Sequence, residues 1–192
     1  MRALEDELRR LVRAAPGLMA ALHAARALEL REWCIGAGAV RSVVWDALHG
    51  FAQPSALDDI DLVFFERPAV PDRERALETR LHAMLPGPRW EATNQATVHA
   101  WTGGPMLDSM EEGIATWPEV ATCVGVRLEH DGQLTVIAPH GLDDLFALQV
   151  RHNPTLVSRE TYHARLQAKR FSERWPQVTC HAAPDQARQY LL

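Results

Sequence analysis

Two aspartates open a hydrophobic strand in the run Asp58-Asp59-Ile60-Asp61-Leu62-Val63-Phe64-Phe65. Side chains alternate along a strand, so Asp59 and Asp61 share one face while Ile60, Leu62 and Phe64 share the other. Asp58 points away with Ile60 or belongs to the preceding loop. Two carboxylates held this close repel when both are ionised, and a bound cation removes that penalty. Their oxygens suit Mg²⁺ or Mn²⁺, and Mg²⁺ typically takes one or two carboxylates plus substrate phosphates. Two such ions about 3.5–4 Å apart would activate an attacking oxygen and stabilise a leaving one. The alternative is a pair of solvated strand-entry acids. A half-buried strand carrying Phe64 and Phe65 is a costly place for two same-face charges without a partner.

About twenty residues earlier, Trp33-Cys34-Ile35-Gly36-Ala37-Gly38 reads as a short strand followed by a glycine turn and a helix. Glycines let backbone approach a ligand closely. A helix N-terminus offers unpaired N–H groups and the positive end of its dipole to phosphate. Gly36, Ala37 and Gly38 are therefore the candidate phosphate cradle. Arg41 in the first helical turn either reaches the same anion or is a surface arginine. Metal-assisted chemistry on a nucleoside triphosphate needs both an acid strand and an anion turn.

Three rival motifs fail on particular residues. Gly36-x-Gly38-x-x-Arg41 lacks the third glycine of the dinucleotide fingerprint, and the acids open the second strand where a ribose-binding acid would end it. In the haloacid dehalogenase phosphatase pattern the apolar strand precedes the aspartates, whereas here it follows them. No glycine-rich Walker loop with lysine occurs.

These residues need elements to position them. Leu4, Leu8, Leu11 and Val12, then Leu18, Leu22 and Ala25, repeat at helical spacing on either side of Pro16-Gly17. A helix is expected over 39–49, its stripe being Val40, Val43, Val44, Ala47 and Leu48, and Gly50 stops it. A loop over 51–57 leads into the strand 59–65. A helix over 73–85 and a third strand over 89–93 follow. Residues 94–101 are ambiguous between strand and helix. Ser109 and Glu112 form a capping box. Strands over 123–129 and 133–138 flank an Asp131-Gly132 turn. Helices are expected over 141–150 and 158–174, and the tail past Trp175-Pro176 is weakly patterned. Mixed α and β elements around one sheet follow, an α+β class.

The set strand, Gly-x-Gly, helix, loop and Asp-x-Asp resembles the nucleotidyltransferase superfamily. The longer set is similar to a bacterial group of uncharacterised nucleotidyltransferase-like proteins (the DUF925 family). It comprises Trp33–Gly38, Val44–Gly50, Asp58–Leu62, Asn94–Ala96, Val98-His99, Thr116–Glu119, Ala138-Pro139, Gly141-Leu142, Asp144–Phe146 and Lys169. The first half also looks like the minor nucleotidyltransferases that modify aminoglycosides or lincosamides. The resemblance implies a polymerase-beta-like mixed sheet flanked by helices, with the active site on its carboxylate face. It implies Asp59 and Asp61 as ligands of Mg²⁺ or Mn²⁺, and Gly36 and Gly38 holding the triphosphate. The superfamily's third carboxylate, on the next core strand, corresponds to Glu91, a glutamate where aspartate is usual. Asn94, Gln95 and His99 are candidate cleft residues, His99 also as a general base. Asp46 either caps the cleft or pairs with Arg41. Trp45, Trp101 and Trp117 are core or cleft wall, and Asp143 and Asp144 suit a helix start.

The 192 residues fit one domain over 1–192, a catalytic core over 33–93 with a hairpin and helices over 94–192 packed on it. Net charge is −5, which argues against a non-specific nucleic-acid binder. No apolar run approaches a membrane span. The opening Met1-Arg2-Ala3-Leu4-Glu5-Asp6-Glu7 is acidic where a signal peptide is basic and then apolar. Cys34, Cys123 and Cys180 are odd in number and scattered, so neither a disulfide framework nor a zinc knuckle is expected, and a reducing cytoplasm fits best. The leading expectation is transfer of a nucleoside monophosphate from a nucleoside triphosphate to a small-molecule or protein acceptor, releasing pyrophosphate. The second is a catalytically inactive module on the same fold that binds a ligand or partner.

Overall fold

The computed structural model describes residues 2–184. The single-domain expectation over 1–192 thus extends to Met1 and 185–192, which lie outside the described residues, as does the end of the weakly patterned tail.

Two amphipathic helices, α1 (Arg2–Arg13) and α2 (Pro16–Arg26), bury Leu8, Val12, Leu18 and Leu22 against the back of a sheet. Pro16 sits where α2 starts, the position at which its missing N–H costs nothing. The sheet has five strands: β1 (Trp33–Gly36), β2 (Asp59–Phe64), β3 (Arg89–Asn94), β4 (Gly125–Leu128) and β5 (Leu134–Ile137), in spatial order β3-β2-β1-β4-β5. β1 is central, and all four of its residues are buried. It runs antiparallel to β2 and β4, while β2 and β3 are parallel. A parallel pair needs a crossover. Helix α4 (Arg73–Met84) supplies it, burying Leu77 and Leu81 completely. Helix α3 (Ala37–Leu48) begins directly after Gly36, two residues earlier than its apolar stripe indicates.

Ile35, Ile60, Leu62 and Phe64 point into the main hydrophobic core. The opposite face carries Cys34 and Val63, covered by Met110 and Ile114 of α6 (Met110–Ala115). Toward the β2–β3 edge that face stays open. Ser109 caps α6 by accepting from the Glu112 N–H, and the Glu112 carboxylate accepts from the Asp108 N–H, one residue before the cap.

Several elements differ from expectation. The ambiguous stretch 94–101 makes a turn and then the short helix α5 (His99–Thr102). The helix expected over 141–150 is only α7 (Asp143–Phe146). Leu148 adopts φ 57°, which ends helical continuation, and β6 (Gln149–Val150) then pairs with β7 (Thr179–Cys180). The helix expected over 158–174 is two helices, α8 (Arg159–Lys169) and α9 (Phe171–Arg174), because Arg170 between them takes φ 48°. That break turns Phe171 and Trp175 inward, where they are 2% and 1% exposed. Of the two places expected for Trp101, core and cleft wall, it takes the second: it is 71% exposed and lines the cleft over the open face.

Candidate active site

On β2, exposed or half-buried Asp59 and Asp61 alternate with buried Ile60 and Leu62, so the two carboxylates share the open face. In the register, Asp61 lies opposite Gly36 on one side and Glu91 on the other, and Asp59 lies opposite Arg89. Strand pairing thus gathers Asp59, Asp61 and Glu91 on one face, beside the strand that ends in the glycine turn. Asp58 belongs to the loop, its carbonyl accepting from the Arg89 N–H.

The acids differ in environment. Arg89 donates from Nε to Asp59 at 2.7 Å and holds its carboxyl below the usual carboxylate range; its Nη1 lies 3.6 Å from Glu91. All three side chains are more than half exposed, so solvent screens this pairing and it contributes little to stability. A triphosphate or cation can displace it. Asp61 is pushed up, first by burial and then by the charge of Glu91. Ionised Asp61 is thus a destabilised anion, which the charges of Lys169 and Arg41 relieve only in part. Among the described residues, no three His, Cys, Asp or Glu side chains converge closely enough to cage a metal by themselves.

A cleft of about 890 Å³ opens over this face. Its acid wall is Asp58, Asp59, Asp61 and Glu91; facing it are Arg41 of α3 and Arg165, Lys169 and Arg174 of α8 and α9. Arg41 is not a surface arginine. Its guanidinium lies between the rings of Trp45, Phe171 and Trp175, 5.0–5.2 Å from each centroid. Burial lowers its pKa to about 10, which leaves it charged at neutral pH. Its buried Nε has no hydrogen-bond partner among the described residues. Nor does it pair with Asp46, whose carboxylate accepts from Ser55 and from the indole N–H of Trp175.

The glycine turn divides into two roles. Ala37 and Gly38 line the cleft, whereas Gly36 does not. A side chain on Gly36 would meet the Trp117 ring at 2.5 Å, so this glycine makes room for tryptophan. Ala37 takes φ 48°, a conformation non-glycine residues adopt at a cost of about 1–3 kcal/mol. Gln95 and Trp117 line the cleft. Asn94 is structural, accepting from the Glu66 and Ala96 N–H groups. His99 lies outside the cleft lining, between Val98 and Trp101, which line it; Trp45 is core, its indole donating to the Leu145 carbonyl.

The cation wall on α8 went unread in the sequence, although its signal is present. Thr161, Arg165 and Lys169 recur every four residues and all line the cleft. Lys169 is also the only lysine in the chain, and its charge bears on both Asp59 and Asp61.

The model of a nucleotidyltransferase family matches residues 23–180. No curated protein matches the sequence. A structure solved by NMR and described as a CCA-adding enzyme head domain superposes with a TM-score of 0.81 at 28% identity, covering 93% of this chain and 96% of that one. A CCA-adding enzyme in complex with CTP gives 0.58 at 16% identity, covering 92% and 43%. The Thermotoga maritima CCA-adding enzyme complexed with tRNA gives 0.57 at 17% identity, covering 96% and 43%. The chain thus spans nearly all of the first and about 43% of the other two.

Proposed function

The chain belongs to the nucleotidyltransferase family, and from that premise we propose that it transfers a nucleoside monophosphate from a nucleoside triphosphate to an acceptor in a metal-dependent reaction. The observation that carries the reading is the two-walled cleft: Asp59, Asp61 and Glu91 on one side and the ring-stacked Arg41 on the other, with Gly38 in its lining. Within the family we read the chain as one of the bacterial DUF925 group, on strings such as Thr116–Glu119 and Asp58–Leu62.

The residues fit a divalent cation. Burial and the charge of Glu91 push Asp61 up, a penalty that a bound cation removes, and the donors are hard carboxylate oxygens. Asp59 and Asp61 would hold Mg²⁺ or Mn²⁺, with Glu91 as a third carboxylate and substrate phosphates completing the set. The ion would supply charge neutralisation at the phosphates and acidify the acceptor hydroxyl. The other steps fall to the chain. Arg41 and Lys169 bind triphosphate oxygens, and the Ala37–Gly38 turn lets the backbone approach them. An acceptor oxygen attacks the α-phosphorus as the bond to the β-phosphate oxygen breaks, and pyrophosphate leaves toward the cation wall. The acceptor's proton passes to a carboxylate of the acid wall or to water. With a net charge of −5, a small molecule or a protein suits the acceptor role better than nucleic acid.

The test replaces Asp59 and Asp61 with alanine, singly. Calorimetry measures Mg²⁺-dependent nucleotide binding, and an α-labelled triphosphate is followed into a metabolite pool, a protein extract and tRNA. Both variants should lose metal-dependent binding. Equal binding by wild type and variants overturns the site. Label in tRNA alone would overturn the choice of acceptor. One observation favours a second reading, a non-catalytic binding module: Asp59 is engaged by Arg89. Transfer of label to any acceptor excludes it.

A further inference from the structure

The string Thr116-Trp117-Pro118-Glu119 has no part in the chemistry above, yet it touches both sides of the cleft. Trp117 fills the space beside Gly36. Glu119 is wholly buried. An ionised carboxylate in such a place is stable only when paired and hydrogen-bonded. Its partner is Arg165, which donates from Nε at 2.8 Å and from Nη2 at 3.3 Å, while Thr122 donates its hydroxyl at 3.1 Å. The two guanidinium contacts fix the plane of the group. Arg165 is nevertheless 38% exposed and lines the cleft on the same face of α8 as Lys169. Its Nη1 makes no hydrogen bond to Glu119. A buried acid thus grips the Nε–Nη2 edge of an arginine that lines the cleft.

We infer that Arg165 is a phosphate-binding residue of the cleft, and that Glu119 is the positioning residue that aims it. The inference rests on the nucleotide reading above and extends it to a second arginine, on a different helix from Arg41. The ligand class is a polyphosphate, a flexible chain of anionic oxygens that one aimed guanidinium grips in a defined place. Positioning and bare charge make opposite demands. Removing the negative charge of Glu119 raises the positive potential of the cleft, so a charge-only account has anions binding more tightly. If aim matters, they bind more weakly.

The test uses the full chain, Mg²⁺ and tripolyphosphate, which isolates phosphate contacts from the base and from transfer. Glu119→Gln keeps the shape and loses the charge. Thermal melting should show it folded, and calorimetry should show affinity roughly tenfold below wild type, the scale of one misdirected charge-assisted hydrogen bond. Arg165→Lys keeps the charge, loses the fixed plane, and should fall by a similar factor. The double variant should fall little further, since both changes break one device. Should Glu119→Gln fail to fold, Glu119→Met with Arg165→Met replaces the buried pair with apolar groups, a change that is often neutral for stability. Wild-type or tighter affinity in any folded variant overturns the inference. Wild-type protein that binds no tripolyphosphate overturns both this and the nucleotide reading. Binding by wild type that the variants share equally overturns this one alone.

Discussion

Gly36→Ala should damage this protein through a single side-chain clash. Gly36 has φ −132° and ψ −165°, extended backbone that alanine adopts freely. Strain in the main chain therefore contributes nothing. The added methyl would stand 2.5 Å and 2.9 Å from two carbons of the Trp117 ring and 3.0 Å from the Val124 carbonyl oxygen. Carbon atoms normally rest about 3.5–4.0 Å apart, so the ring must retreat by roughly 1 Å. Its main chain is held, so the retreat falls to the side-chain torsions. The Trp117 N–H donates to Ile114, and its carbonyl accepts from the buried amide of Asn153 at 2.8 Å. Overpacking of this kind costs about 1–3 kcal/mol, and the tether puts this case at about 2–3. For a chain of this size, each kcal/mol shifts the melting temperature by about 2–4 °C, giving a fall of about 4–12 °C by calorimetry. Trp117→Leu in the same chain vacates the space, so the double variant should be more stable than the sum of the single changes by at least about 1 kcal/mol. A Gly36→Ala protein melting within a degree of wild type would refute the steric account.

Other outcomes follow from the same site. Gly38→Ala places a methyl 3.7 Å from the Arg41 guanidinium, an ordinary contact, so its melting temperature should match or exceed wild type while triphosphate affinity falls. Asp61→Asn should stabilise the ligand-free protein. The folded pKa of Asp61 lies above its unfolded value, so its unfavourable charge is absent well below the unfolded pKa and fully present above the folded one. The melting advantage of Asp61→Asn should therefore be near zero in acid and grow toward neutral pH, and Mg²⁺ with nucleotide should reverse it; an advantage that shrinks as pH rises contradicts the assignment. Thiol titration of native protein should find one fast cysteine, exposed Cys180. Burial raises the thiols of Cys34 and Cys123, and these should react only on unfolding.

The strand with alternating acids was readable because a period of two leaves only one way to bury Ile60, Leu62 and Phe64. The same rule fixed which carboxylates share a face. Glu91 entered by analogy with a family pattern, and only pairing of β3 with β2 brings it opposite Asp61. Gly36 and Gly38 look alike in sequence, yet one accommodates a distant tryptophan and the other faces the cleft; nothing local separates them. The cation wall was hidden for a similar reason. Arg165 and Lys169 form a legible stripe, but a polar stripe on a helix ordinarily faces solvent, and only the docking of Phe171 and Trp175 turns this one inward. The missed helix ends share a cause: Leu148 and Arg170 take left-handed backbone without being glycine or asparagine, so no residue type announces them.

The left-handed step at Arg170 has a consequence for how the molecule is made. The aromatic box around Arg41 takes one ring from α3 and two from beyond that step, Phe171 and Trp175. During synthesis the acid strand leaves the ribosome more than a hundred residues before those rings do. Until then Arg41 has one of its three rings, Trp45, against it. The nascent chain must therefore set its β-strands and bury its early helices without help from any nucleotide, and competence to hold one arrives at a single late moment, when Trp175 closes over its arginine.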